Sequence, residues 1–246
     1  MDKQRFYDSA YEIAAQQQRQ RNGIGTLGEK TLHAVLKLYI EPLVENHEKK
    51  VGRYVADIIN QNGITEVQTR NFSAFRKKLE LFLNEYKVTV VYPIAQIKWL
   101  TWLDVSTGQS TNKRKSPKTG KPYDIFDELY SIKHLLKSPN LSFCICMLEM
   151  QEIRYLNGWS KDKKKGSSRC DSIPSDIIGE IYIRSIDDYR QLIPNELPQK
   201  FTAKDFKKHS GISIGATQTA LNVLFSVGAV DRTGKIGNAF VYERNF

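Results

Sequence analysis

The stretch Asp57-Ile58-Ile59-Asn60-Gln61-Asn62-Gly63-Ile64-Thr65-Glu66-Val67-Gln68 reads as a β-hairpin that gathers acids on one face. Asn62-Gly63 is the turn signal, because a type I′ turn needs positive φ at both central residues. With those two as the loop, Gln61 pairs with Ile64, Asp57 lies opposite Gln68, and Glu66 lies opposite Ile59. Residues two apart on a strand share a face, and directly opposed residues share a sheet face. Asp57, Glu66 and Gln68 are therefore predicted to converge. Two carboxylates that close repel unless a proton or a cation lies between them. A hard divalent cation with oxygen ligands is the natural partner. A salt bridge from a neighbouring lysine or arginine would fill the same space, and a hairpin with its polar residues simply facing water is the plainer reading.

Outward from the hairpin, helical and strand patterns alternate. Residues 3–21 are polar and helical. Thr26-Leu27-Gly28-Glu29 matches a capping box and opens a second helix, with Leu32, Val35, Leu36 and Tyr39 at helical spacing. The first hairpin arm is expected over 51–60 and the second over 64–70. Residues 73–87 predict a helix with Phe75, Leu79, Phe82 and Leu83 on one face. Val88-Thr89-Val90-Val91-Tyr92 suggests a strand buried on both faces, ended by Pro93, with a further strand from Ile97 to Asp104. A helix over 124–137 and a long apolar strand over 141–156 follow. This order predicts an α/β fold, a mixed sheet covered by helices. From Thr202 the pattern changes to a capped helix (Ala203–His209), a turn, a helix capped by Ser213 and stopped by Gly228, and a hairpin turning around 231–235. Helix, turn, helix and β-wing make a winged-helix pattern. The expected division is residues 1–172 for the α/β domain and 173–246 for the smaller winged-helix domain.

The 246 residues carry a formal net charge of +10, which points to a polyanionic partner, most simply nucleic acid. The cations cluster. Lys113, Arg114, Lys115, Lys118 and Lys121 lie in one loop, and Lys163, Lys164 and Lys165 lie in another. Both loops suit phosphate contacts that do not read sequence. In the winged unit, Leu221, Leu224 and Phe225 are expected to face inward. Gln218, Thr219 and Asn222 would face a groove, and Arg232 and Lys235 would sit at the wing tip. Cys144, Cys146 and Cys170 are too few for a disulfide framework and suggest a reducing cytoplasm, with Cys144 and Cys146 as buried small hydrophobes. No run approaches the roughly 18 apolar residues of a membrane span.

The order of parts resembles the PD-(D/E)XK nuclease superfamily, the restriction-endonuclease-like fold. The matching pieces are Gly25-Thr26-Leu27-Gly28-Glu29 opening a helix, Asp57 on a strand, and Glu66-Val67-Gln68 on the adjacent strand, covering roughly residues 24–105. Two departures stand out: Gln68 occupies the place of the usual lysine, and Ala56 rather than proline precedes Asp57. The resemblance implies a Mg²⁺- or Mn²⁺-dependent deoxyribonuclease. Asp57 and Glu66 would hold the metal, Gln68 would orient a water, Glu29 would reach the metal or its waters, and Lys98 would stand in for the missing cation. Cleavage of two strands calls for two active sites, which a homodimer supplies. The rival reading is a non-catalytic DNA-binding regulator, or a replication protein of a mobile element, with an inert nuclease-like core. Trp99 and Trp102 are expected to pack in the core.

Overall fold

The computed structural model describes residues 1–21, 31–104, 106–156 and 168–245. Its elements are α1 (Lys3–Arg21), α2 (Thr31–Ile40), β1 (His47–Val51), β2 (Tyr54–Asn60), β3 (Gly63–Val67), α3 (Phe72–Leu83), β4 (Val88–Leu103), β5 (Arg114–Lys115), α4 (Phe126–Ser131), β6 (Leu141–Tyr155) and β7 (Ser168–Ile183). After these come β8 (Lys200–Thr202), α5 (Ala203–Ser210), α6 (Ile214–Val227), β9 (Val230–Ile236) and β10 (Ala239–Arg244). The protein is mixed α/β. The larger sheet runs β1-β2-β3-β4-β6-β7, with β5 paired to β4, and the smaller runs β8-β10-β9. The larger sheet is mixed, since β2 and β3 are antiparallel while β3 and β4 are parallel. Among the described residues, no helix is long and apolar enough to cross a membrane.

By its internal contacts the chain forms two compact units, neither contiguous in sequence: residues 1–47, 93–120 and 146–180, and residues 48–92, 121–145 and 181–246. In the first, α1 packs on α2 through Phe6, which is fully buried and meets Tyr39 edge-on. Arg5 donates to the Tyr39 and Ile40 carbonyls, which closes the C-terminal end of α2. In the second, Phe72, Phe75, Leu79 and Phe82 bury the inner face of α3, and Phe72 stacks on Phe143. Glu128 of α4 accepts the Asn71 and Phe72 N–H groups and so caps the start of α3.

Several local expectations are corrected. The first hairpin arm is interrupted at Gly52-Arg53, with Gly52 at φ 57°, so β1 and β2 are separate strands. The reversal between β2 and β3 falls on Gln61-Asn62, since Asn60 pairs with Gly63 and Ile59 with Ile64. Neither loop residue has positive φ, so the turn is not type I′. Gly63 serves another end: a Cβ there would lie 2.2 Å from the Lys87 carbonyl oxygen, which accepts the Ile64 N–H. Pro93 does not end β4. By that point β3 has finished pairing, its last pair being Val67 with Val91, so the missing N–H costs no bond on that side. The predicted helix over 124–137 is instead α4 between two short 3₁₀ turns. β7 runs through residues 172 and 173, where the sequence pattern puts a boundary.

The C-terminal segment follows its local signals closely. Thr202 and Asp205 form a reciprocal cap on α5, and Ser213 caps α6. Gly211 and Gly228 end the two helices at positive φ. The final hairpin turns at Gly237-Asn238 rather than at 231–235, because β9 continues to Ile236.

Candidate functional site

The site grows from the end of the β2–β3 ladder. The last paired residues there are Ile58 and Thr65, and one step further Asp57 lies opposite Glu66. The register differs from the expected one by two residues, since Ile64 pairs with Ile59 rather than with Gln61. Because residues 57, 66 and 68 keep the same parity, they stay on one face. At this step side chains replace the ladder. Oε1 of Glu66 accepts the Asp57 N–H at 3.1 Å, and Oδ2 of Asp57 accepts the Val67 N–H at 2.8 Å. Each carboxylate is thus anchored to the other's strand. Glu66 is fully buried, and Asp57 is half-buried.

Lys78 completes the group. It stands beside the apolar stripe of α3, with its Nζ 5.9 Å and 5.5 Å from the rings of Phe75 and Phe82. The stem runs along these rings and delivers the ammonium to Oε2 of Glu66 at 2.6 Å. Burial, and then the charge of Asp57, push the Glu66 carboxyl up to about 7, with Lys78 pulling the other way. Asp57, Glu66 and Lys78 by themselves sum to one negative charge when both acids are ionised. The donors are hard carboxylate oxygens on rigid strands, so the set fits a hard divalent cation, with Lys78 as a competing cation already in contact.

The other predicted site residues separate. Gln68 is half-buried, and its backbone N–H is held by Val91. Lys98 is paired with an acid of its own unit. Its Nζ is 3.1 Å from Oε2 of Glu152, which is nearly fully buried. Glu29, Lys163, Lys164 and Lys165 lie outside the described residues. Lys113, Arg114, Lys115 and Lys118 are exposed, with Lys113 over the Trp99 ring and Arg114 over Trp102. Neither tryptophan is a core residue, since both are half-buried under these cations. Lys121 differs from these exposed cations: its ammonium donates to the Ser210 and Gly211 carbonyls, ending α5.

On α6, Leu221 and Leu224 are buried as expected, whereas Phe225 is 39% exposed. Arg232 sits 4.5 Å over Phe225 and 4.4 Å over Phe240, on β9 rather than at a wing tip. Lys235 likewise lies over Phe240. Gln218 is exposed and Thr219 half-buried, while the Asn222 amide oxygen accepts from Lys133. Lys78 lies on a helix, outside the strand pattern that marks Asp57 and Glu66. The available signal was a lysine three residues after Phe75 and four before Phe82, at the border of an apolar helix face.

A mixed α/β protein with a paired-carboxylate site at a hairpin edge is the class that this geometry defines. The family is more specific. The model of the domain of unknown function DUF8091 matches residues 30–184, and the chain belongs to that family. An uncharacterized protein of Treponema pallidum (strain Nichols) is similar, with 31% identity over 147 residues, covering 59% of this chain and 56% of that protein. The chain thus spans about half the length of that relative. No solved structure matches. Asp57, Glu66 and Lys78 lie within the family match, and α5 to β10 lie beyond it.

Proposed function

We propose that the protein is a divalent-metal-dependent nuclease of restriction-endonuclease-like type, acting on DNA. The observation that carries the reading is the reciprocal anchoring of Asp57 and Glu66, which holds two carboxylates together at the edge of a hairpin. Asp57 and Glu66 are the residues that would hold Mg²⁺ or Mn²⁺, and the bound ion would supply Lewis acidity and a more acidic water. Lys78 takes the part that Lys98 and Gln68 do not: a cation at the site that can offset charge developing on a phosphate. The Gln68 amide is suited to orient a water by hydrogen bonding. We read β8 to β10 as a winged helix whose α6 offers Gln218 to a groove. Lys113, Arg114, Lys115 and Lys118 contact phosphates without reading sequence. Two such sites in a homodimer would cut both strands. The sparse cysteines suit a cytoplasmic protein.

A second reading has an observation of its own. The 2.6 Å contact between Lys78 and Glu66 can be a structural ion pair that takes the place of a metal. In that case the core is inert and the protein is a DNA-binding regulator. Incubation of the purified chain with supercoiled plasmid and circular single-stranded DNA, in Mg²⁺ or Mn²⁺, separates the two. Nicking that disappears in Asp57→Asn supports the nuclease. Salt-sensitive binding with no cleavage in either metal supports the regulator.

A further inference from the structure

Within the unit formed by residues 1–47, 93–120 and 146–180, the charge around Glu152 is out of balance. Glu152 is 2% exposed, yet three cations converge on its carboxylate. Arg154 reaches Oε1 with Nε at 2.7 Å and Nη2 at 2.5 Å. Lys98 reaches Oε2 at 3.1 Å, and Arg169 reaches the same oxygen at 3.5 Å. Among the described residues the cluster therefore carries a net charge of +2: three positive side chains against one negative. Two guanidiniums and an ammonium also bring many more N–H donors than one carboxylate can accept. The cations are not buried with Glu152. Lys98 and Arg154 are about a quarter exposed and Arg169 about half. Burial alone would raise the Glu152 carboxyl, but the charges of Lys98 and Arg169 and the hydrogen bonds from Lys98 and Arg154 outweigh it and hold it ionised.

One cation is enough to neutralise the Glu152 charge, and the other two leave positive charge that is a quarter to a half exposed. The three, held on adjacent strands with their outer faces open, form a preorganised anion receptor. The strand pattern extends it. Lys98, Leu100 and Trp102 alternate onto one face of β4, and Arg114 pairs opposite Leu100 and lies 4.6 Å over the Trp102 ring. Cations beside a half-buried indole are the components of a surface that holds a phosphate and stacks a base.

We infer that Lys98, Arg154 and Arg169, organised by Glu152, form a phosphate-binding site for a nucleic-acid strand, with Trp102 and Arg114 on the same face. This rests on the nucleic-acid part of the function proposed above and not on hydrolysis.

The test is fluorescence anisotropy with a labelled oligonucleotide of random sequence, single- and double-stranded. It uses the full chain carrying Asp57→Asn in EDTA, over a range of salt. The pair Lys98→Gln/Arg169→Gln should weaken binding roughly 10- to 100-fold and lower the log–log salt slope by about two. The pair Lys49→Gln/Lys50→Gln, an equal loss of charge on exposed β1, should leave the slope nearly unchanged. Should the double variant not fold, Arg169→Gln alone should lower the slope by about one. In the unsubstituted chain the oligonucleotide should protect Lys98 from acetylation. Unchanged binding in the site variants, an equal loss in the control, or an unprotected Lys98 overturns the inference while leaving the nuclease reading intact. Preference for phosphatidylserine vesicles over the oligonucleotide would reassign the patch to a membrane surface. Failure of the chain to bind any nucleic acid at low salt overturns both.

Discussion

Lys78 Nζ lies 2.6 Å from Oε2 of Glu66, a carboxylate that is fully buried and also receives the Asp57 N–H on its other oxygen. The lysine thus partly neutralises a pair of acids that burial and mutual repulsion work against. In the proposed nuclease it would be both the cation that offsets charge on a phosphate and the one that a metal must share space with. This double character sets the behaviour expected of the site.

Removing one partner of a buried ion pair leaves the other charge uncompensated. At about pH 8, where Glu66 is ionised, Lys78→Met should therefore destabilise the chain by about 3–5 kcal/mol in the absence of metal, read by urea denaturation. A loss below about 1 kcal/mol would mean that Glu66 takes up a proton at no cost, and that Lys78 is not its main support.

The pH dependence has a definite sign. Glu66 moves from an ordinary 4.5 to about 7 on folding, so the folded chain retains a proton that the unfolded chain releases. The stability this contributes is complete below the unfolded value and is lost as pH rises through the folded one. In EDTA, the melting temperature should fall between about pH 5 and about pH 8, and Glu66→Gln should remove much of that fall. Mn²⁺ should restore stability at the upper end, because it binds the ionised pair. A melting temperature that rises over this window in both proteins would contradict the assignment.

Lys121 separates structural from binding lysines. Its two carbonyl contacts close α5, so Lys121→Met should cost about 1.5–3 kcal/mol of stability and leave the salt slope of DNA binding unchanged. Lys118→Gln, on the exposed loop, should do the reverse: little change in stability, and a slope lower by about one.

Much of the framework was legible in the residues because local chemistry decided it. Thr202, Ser213 and Gly228 set their helix ends through caps that need only neighbouring atoms. Phe75, Leu79 and Phe82 fixed the buried face of α3 by period alone. The convergence of Asp57 and Glu66 survived a two-residue difference in register, because an even shift leaves every side chain on its own face. What escaped depended on contacts distant in sequence. Gly63 looked like a turn glycine, but its need comes from the Lys87 carbonyl. Lys98 looked available until Glu152, 54 positions away, claimed it. Arg232 looked like a wing-tip cation, yet it lies against Phe225 and Phe240, a placement that local sequence does not encode.

The most direct test of the account is whether Asp57 and Glu66 share a divalent ion. Mn²⁺ titration followed by electron paramagnetic resonance at about pH 8, where Glu66 is ionised, reads this without any substrate. The account predicts saturable uptake of one ion per site, abolished in Asp57→Asn while the fold is retained. Absence of saturable uptake, or uptake equal in Asp57→Asn, would contradict it and leave the Lys78–Glu66 contact as a structural ion pair.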